Sequence, residues 1–363
     1  MTRRIDLSVN VPPLDQAAAA LSAAMAGLAA DPTDCRRLAD YGELGGSESL
    51  RESISRWLAA VRPDQSDPAA DWVVCDGALG ALFLVLKQQL EPGDPVLLES
   101  PGYPALKDIA RALQLKALPV SVDRDGMLPE SLAAAAAGSG ARCVVMVPSL
   151  QNPTGANYSA SRRRELAQVC RAQGIVVVED DVYAGLDVDD ANEMPSMHSL
   201  LPDQCVYVGG ASKALMPGLR VAWIRPLPGQ REALLERLWP RGLGMPQPGH
   251  ALFSRLVAAD HAFSLLIDCR EELAKRNRLA NQILGERMWP AASPWCPHRW
   301  WPGSPEASAQ RHAQAAAGGI VLPAPDAFTL RPARDQGLRL CLGAAADLAE
   351  LESALTELAR LPD

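Results

Sequence analysis

The chain has 363 residues, about two average domains' worth, with 48% apolar and 21% charged residues, an ordinary globular balance that excludes disorder. Its longest clean apolar run is nine residues, 78–86, far short of the roughly 20 needed to cross a bilayer, and MTRRIDLSVN at the start lacks the apolar core of a secretory signal. Thirty-five basic against 43 acidic residues give a net charge of −8, with no basic block to track a phosphate backbone, so neither nucleic acid nor a membrane is the expected partner.

The first 40 residues are Ala-rich and read as an arm that packs with a small C-terminal unit. From about residue 70 to 226, short apolar runs alternate with helical patterns. PVLLE (95–99), RCVVMV (142–147), GIVVVED (174–180), QCVYVGG (204–210) and LRVAWI (219–224) read as buried strands of a mainly parallel sheet. Residues 77–90, 104–113, 129–136 and 160–173 between them have helical periodicity or strong helix formers. This alternation implies right-handed crossovers and a doubly wound three-layer α/β/α domain. Residues 229–285 read as one or two long helices interrupted around 240–249, followed by a Pro- and Trp-rich stretch at 289–305. Strands at 319–323 and 338–342 and a helix at 345–361 complete a smaller α+β unit. The expected division is 1–40, 41–240 and 241–363.

Eight cysteines are scattered from Cys35 to Cys341 without a C-x-x-C pair or a Cys/His cluster. That pattern points away from a metal site and toward reduced thiols in a cytoplasmic protein. There are only five lysines, and four lie in or beside helical patterns. The fifth, Lys213, sits in GGASKALMPGLR (209–220), straight after an apolar strand and among small residues. Partial burial there lowers the pKa of an amine toward nucleophilic use. Asp180 ends the strand IVVVED, where a doubly wound sheet binds ligands; the alternative is a cap for the next helix. Glu179 and Asp181 should point elsewhere by strand alternation. SLQNPTG (149–155) also follows a strand, and CDGALGAL (75–82) opens a helix with a glycine, leaving free N–H groups suited to a phosphate.

Taken in order, Gly77-Ala78-Leu79, ESPGYP (99–104), NPTG (152–155), EDDVY (179–183), Ser212-Lys213 and PGLR (217–220) resemble the fold-type-I pyridoxal-phosphate enzymes. The closest resemblance is to the class I/II aminotransferases, including the aminotransferase-like domain of MocR-type regulators. It extends from YGELGGSESLR (41–51) to LRLCLG (338–343), roughly 300 residues. The resemblance implies pyridoxal 5′-phosphate as cofactor. Lys213 would form the internal aldimine and move protons, and Asp180 would pair with the ring nitrogen. Asn152 and Tyr183 would bond the ring oxygen, and Tyr103 would stack on the ring face. Gly77, Ala78, Leu79, Ser212 and Arg220 would take the phosphate. Tyr41 would reach the cofactor of a second copy, which implies a homodimer with shared sites. Arg339, Asn152 and Val11 would meet an amino acid or 2-oxo acid substrate. The implied reaction is transamination. A lyase, racemase or β/γ-eliminating enzyme of the same fold is the alternative, and a ligand-sensing regulatory domain is the third reading. The MocR-type regulators carry a DNA reader ahead of the shared part, and 40 residues before Tyr41 are too few for one.

Four departures concern substrate-shaping or phosphate-binding segments. Gly210 stands where many relatives have a serine, and Arg220-Val221-Ala222 replaces R-x-G. The usual G-x-P near the N-terminus reads Asn10-Val11-Pro12-Pro13, and SPWCPHRWW (293–301) replaces a Gly-Gly-x-aromatic strand. The tryptophans at 295, 300 and 301 read either as pocket lining or as core.

Overall fold

The computed structural model describes residues 4–13, 17–67, 71–187, 194–241, 247–331, 334 and 336–362. The central sheet has eight strands. In sheet order they are Val73–Cys75, Ala222–Arg225, Cys205–Gly210, Val176–Asp180, Cys143–Met146, Pro95–Ser100, Lys116–Asp123 and Gly126–Met127. The five from Cys205–Gly210 to Lys116–Asp123 run parallel, and Ala222–Arg225 runs antiparallel to both of its neighbours.

The middle strands are apolar over most of their length because both faces are covered. Val96, Leu98, Val145, Val178, Val206, Val208 and Ile224 pack with Leu82, Val85 and Leu86 of the helix Ala78–Gln89. The alternate residues Leu97, Val144, Met146, Val177 and Cys205 pack with Leu132 and Leu166 of the helices Pro129–Ser139 and Ala160–Gln173. Gly140 and Gly174 end those two helices in the left-handed conformation, which glycine adopts without strain.

Of the five strands expected in this sheet, four form within a residue or two of the expected bounds. The fifth starts later: Pro217–Leu219 is a tight helical turn and Arg220 is left-handed (φ 53°), so the strand begins only at Ala222. The segment carrying Lys213 is therefore a short return between antiparallel neighbours. Three strands of this sheet escaped the sequence reading. Val73–Cys75 and Gly126–Met127 are too short to show a period, and Lys116–Asp123 mixes Pro and Ser into a half-buried strand.

The C-terminal part builds a second core of Leu338, Leu340, Leu342, Leu351, Leu355 and Trp301, joined by Ile5 and Leu7 from the other end of the chain. His298–Gly303 pairs antiparallel with Gln336–Cys341, setting His298 opposite Cys341 and Trp300 opposite Arg339. Ile5–Asp6 pairs parallel with Ile320–Val321, and Cys341 N–H donates to the Leu7 carbonyl at 3.0 Å. These bonds carry the chain at Ser8–Asn10 alongside Arg339. Residues 231–284 hold three helices, Arg231–Leu238, Gln247–Ala258 and His261–Leu284, the last two separated at left-handed Asp260. The break expected at 240–249 falls largely outside the described residues. Trp300 and Trp301 are core. Trp301 lies under the guanidinium of Arg311 at 4.7 Å, and Trp300 meets the edge of Phe328 at 5.6 Å. Among the described residues, no helix is long and apolar enough to cross a membrane.

Candidate active site

At the carboxyl ends of the strands, five connections meet around a cavity of about 190 Å³. It is lined by Ala78 and Leu79 after the first strand, Tyr103 after Pro95–Ser100, and Asn152 after Cys143–Met146. Asp180 and Tyr183 close Val176–Asp180, and Ser212, Lys213 and Arg220 come from the return after Cys205–Gly210. Separations of up to 142 residues in the chain collapse here because each segment follows a strand of one sheet. The structure thus brings nine of the expected residues together. Gly77 adjoins them as the residue before the helix Ala78–Gln89, at φ 108°. A β-carbon on Gly77 would lie 2.3 Å from Arg220 Nη2, so glycine is what lets the guanidinium cross this helix start.

Arg220 Nη2 donates to the Asp76 carbonyl at 2.8 Å. Its planar fork and the start of the helix Ala78–Gln89 form one corner suited to an anion. Lys213 Nζ donates to the Asn10 carbonyl at 2.7 Å. Burial holds the Lys213 amine below its ordinary pKa, helped by the charges of Arg339 and Arg220 and opposed by Cys341 and Asp180.

Asp180 is the unusual group. Burial, then the neighbouring Asp181, pushes its carboxyl up to about 7, with Lys213 pulling the other way. Its Oδ1 is buried with no hydrogen-bond partner. No helix begins there for it to cap. The carboxylates on either side point away and are satisfied, in keeping with strand alternation. Glu179 accepts from the backbone N–H groups of Met197 and His198, each at 2.9 Å. Asp181 is held by Arg62 at 2.8 and 3.1 Å and by the Tyr207 hydroxyl at 3.0 Å.

Arg339 lies beside this cavity and is 7% exposed. It donates to Asn152 Oδ1 at 2.8 Å and to the Ser8 carbonyl at 2.6 Å, lies over the Phe328 ring at 5.0 Å, and keeps an unpartnered Nε. Val11 is half-buried in the same N-terminal segment, its carbonyl against Gly343. Tyr41 is 69% exposed and takes no part in the cavity. The three tryptophans line none of it.

Two polar residues escaped the sequence reading. Asn10 Nδ2 lies 2.9 Å from the Tyr183 hydroxyl and 2.9 Å from His298 Nδ1. His298 Nε2 in turn lies 3.0 Å from the Gln151 carbonyl. Each belongs to a segment that departs from the family pattern, which was the available signal.

The sequence profile of the aminotransferases of class I and II matches residues 2–358. The chain belongs to that family. The HTH-type transcriptional regulator YdeF of Bacillus subtilis is 26% identical over 337 residues, 91% of this chain and 71% of the relative. The 2-aminoadipate transaminase of Thermus thermophilus is 31% identical over 221 residues, 60% of this chain and 54% of that protein. The matched part is as little as 39% of the length of some curated relatives. Among solved structures, the Pyrococcus horikoshii kynurenine aminotransferase superposes with a TM-score of 0.87 at 22% identity, covering 99% of this chain and 91% of its own. LysN, the α-aminoadipate aminotransferase of Thermus thermophilus, gives 0.86 at 24%, covering 99% and 92%. The fold is that of the fold-type-I enzymes.

The family's cofactor is pyridoxal 5′-phosphate, and the residues present fit it. A buried carboxylate with one unpartnered oxygen suits a protonated ring nitrogen, the Arg220 corner suits a phosphate, and a depressed amine suits an aldehyde.

Asp180 yields a prediction for the cofactor-free protein. Its folded-state pKa, about 7, lies above the free value of 3.8, so ionising it opposes folding. That penalty is absent below pH 3.8 and complete above about pH 7. Asp180→Asn should therefore stabilise the cofactor-free protein at pH 8 by about 1–3 kcal/mol and have no effect at pH 3.5–4. Denaturant melts at the two pH values measure the difference.

Proposed function

We propose that this chain is a pyridoxal-phosphate-dependent aminotransferase that passes an amino group from an amino acid to a 2-oxo acid. The observation that carries the reading is the buried Asp180 carboxylate, with no hydrogen-bond partner on Oδ1, in the same cavity as Lys213. When bound, the cofactor supplies an electron-withdrawing ring that delocalises the electron pair released at the substrate α-carbon.

The side chains divide the remaining work. Asp180 holds a proton on the ring nitrogen, and its burial makes that charge pair strong. Lys213 would carry the cofactor and, once released as a free amine, would take the substrate α-proton and deliver it to the cofactor's former aldehyde carbon. A lowered pKa keeps part of the lysine population unprotonated for this task. Gly77, Ala78, Leu79, Ser212 and Arg220 would hold the phosphate, and Tyr103 would cover the ring face. Asn152 and the Tyr183 hydroxyl meet the ring oxygen. Arg339, oriented by Asn152, grips the substrate carboxylate in a planar fork, with Val11 closing from the N-terminal side. A bidentate grip there fixes which bond at the α-carbon stands perpendicular to the ring.

In this reading residues 41–240 form the cofactor unit, and 241–363 with the arm 1–40 form the smaller unit. The protein works in the cytoplasm, in a biosynthetic step and without nucleic acid. Eight cysteines free of disulfides support the reducing compartment. It is a homodimer in which Tyr41 serves the second copy's phosphate; the exposure of Tyr41 (69%) and Trp239 (56%) supports such a surface. The regulators among the relatives favour a second reading, a ligand-sensing domain that binds the same cofactor. Turnover of an amino donor with a 2-oxo acid separates the two.

Three outcomes follow. The protein with cofactor should be yellow, and borohydride reduction with peptide mapping should find the adduct on Lys213; an adduct on Lys87, Lys107, Lys116 or Lys275 rejects the assignment. Arg339→Lys keeps the charge and loses the fork, so kcat/KM for every carboxylate substrate should fall by about 2–4 kcal/mol in transition-state stabilisation, with the bound-cofactor spectrum unchanged. Mixing Tyr41→Phe chains with Lys213→Ala chains should restore activity through hybrids that hold one intact site, and sedimentation showing an active monomer would refute the shared site.

A further inference from the structure

The two segments that depart most from the family pattern meet each other. Asn10 stands in the N-terminal segment where relatives have a glycine, and His298 stands in the strand that replaces the Gly-Gly-x-aromatic run. Their side chains touch at 2.9 Å, 288 residues apart in the chain, and both are buried, at 7% and 0% exposure.

The hydrogen positions along this chain follow from one acceptor. The Gln151 carbonyl, 3.0 Å from His298 Nε2, only accepts, so Nε2 carries the proton. Burial holds the imidazole neutral, pushing its pKa down to about 3, with Arg339, Lys213 and Arg299 acting in the same direction. Nδ1 of a neutral ring protonated at Nε2 is an acceptor, so the Asn10 atom facing it is the amide nitrogen. The same nitrogen lies 2.9 Å from the Tyr183 oxygen, and its second N–H donates there. The Tyr183 oxygen thus receives a bond from behind. Its own proton remains to be given into the cavity that it lines.

We propose that Asn10 and His298 are positioning residues that fix the Tyr183 hydroxyl as a donor toward the cofactor ring oxygen. The relay runs from the Gln151 carbonyl through His298 and Asn10 to Tyr183. It rests on the proposed cofactor reading, in which that hydroxyl meets the ring oxygen. A hydroxyl that already accepts a bond is a stronger donor, because each dipole in the chain polarises the next. A donor aimed at an oxygen favours the state in which that oxygen is negative, so the relay lowers the pH at which the bound cofactor loses its titrating proton. The glycine of the common pattern could not supply the amide. Asn10 also presents its backbone carbonyl to Lys213 at 2.7 Å, so one residue touches both groups from the substrate side. That carbonyl survives any substitution of the side chain.

The test is a spectroscopic pH titration of protein reconstituted with pyridoxal 5′-phosphate, following the visible absorption band. The other groups facing Tyr183 are Asp180, Tyr103, Arg339 and Cys341, and those facing His298 are Arg339, Lys213 and Arg299; all stay in place in the variants. Tyr183→Phe should raise the band's midpoint. Asn10→Ala should raise it in the same direction by about 0.5–1 pH unit, the worth of one hydrogen bond. His298→Phe, which keeps a ring but no nitrogen, reads the chain from its other end and should do the same. In the Tyr183→Phe background neither change should move the midpoint further. A merely structural role would not vanish in that background. Unchanged midpoints in both single variants, or the same shifts with and without the Tyr183 hydroxyl, overturn the relay. Wild-type protein that shows no pH-dependent band with the cofactor overturns instead the reading on which the relay rests.

Discussion

Three consecutive carboxylates, Glu179, Asp180 and Asp181, end one central strand, and all are buried. Bringing three acids into a low-dielectric interior is unfavourable unless each finds a partner. Two of them do. Arg62, itself fully buried, binds Asp181 and Asp187 and stays charged because their attraction outweighs the desolvation of the guanidinium. Glu179 takes two backbone N–H groups, with Arg163 at 3.8 Å. Asp180 alone is left facing a cavity with an oxygen unsatisfied. The protein carries this destabilisation until a cation enters, and strand alternation determines which of the three acids faces the cavity.

That arrangement explains why the site was easier to read than its surroundings. Asp180, Lys213, Asn152, Tyr103 and the Gly77 turn each follow a strand end, so parallel-sheet topology alone delivers them to one edge. Their spacing within short motifs survives in the sequence. The Arg62 network left no such trace. Arg62 belongs to no motif, and its partners lie 119 and 125 residues away, so only the fold shows that they meet. The strands Val73–Cys75 and Lys116–Asp123 were equally silent, one too short and the other half-buried at the far side of the sheet. The tryptophans left two readings open, and the fold decides between them. A cluster at 295–301 has the composition of an aromatic pocket, but Trp301 packs under Arg311 in the C-terminal core and Trp300 against Phe328.

Beside the cavity, the two ends of the chain complete each other. Ile5–Asp6 is stitched to Ile320–Val321, and Leu7 to Cys341, by backbone bonds that do not depend on side-chain identity. This fastening places Ser8 and Asn10 with a tolerance set by strand geometry. Their carbonyls then reach Arg339 at 2.6 Å and Lys213 at 2.7 Å. A floating N-terminal segment would lose considerable backbone entropy in making such contacts, about 1–2 kcal/mol per residue fixed. Here the small parallel pair has already ordered the chain before Asn10 arrives. The same strand register that sets Trp300 opposite Arg339 sets His298 opposite Cys341 and turns its imidazole toward Asn10. A change in the N-terminal segment is therefore felt by the strand nearly 300 residues later through direct contact. The two segments that depart from the family pattern thus meet in one buried contact, the Asn10 amide nitrogen against the imidazole of His298.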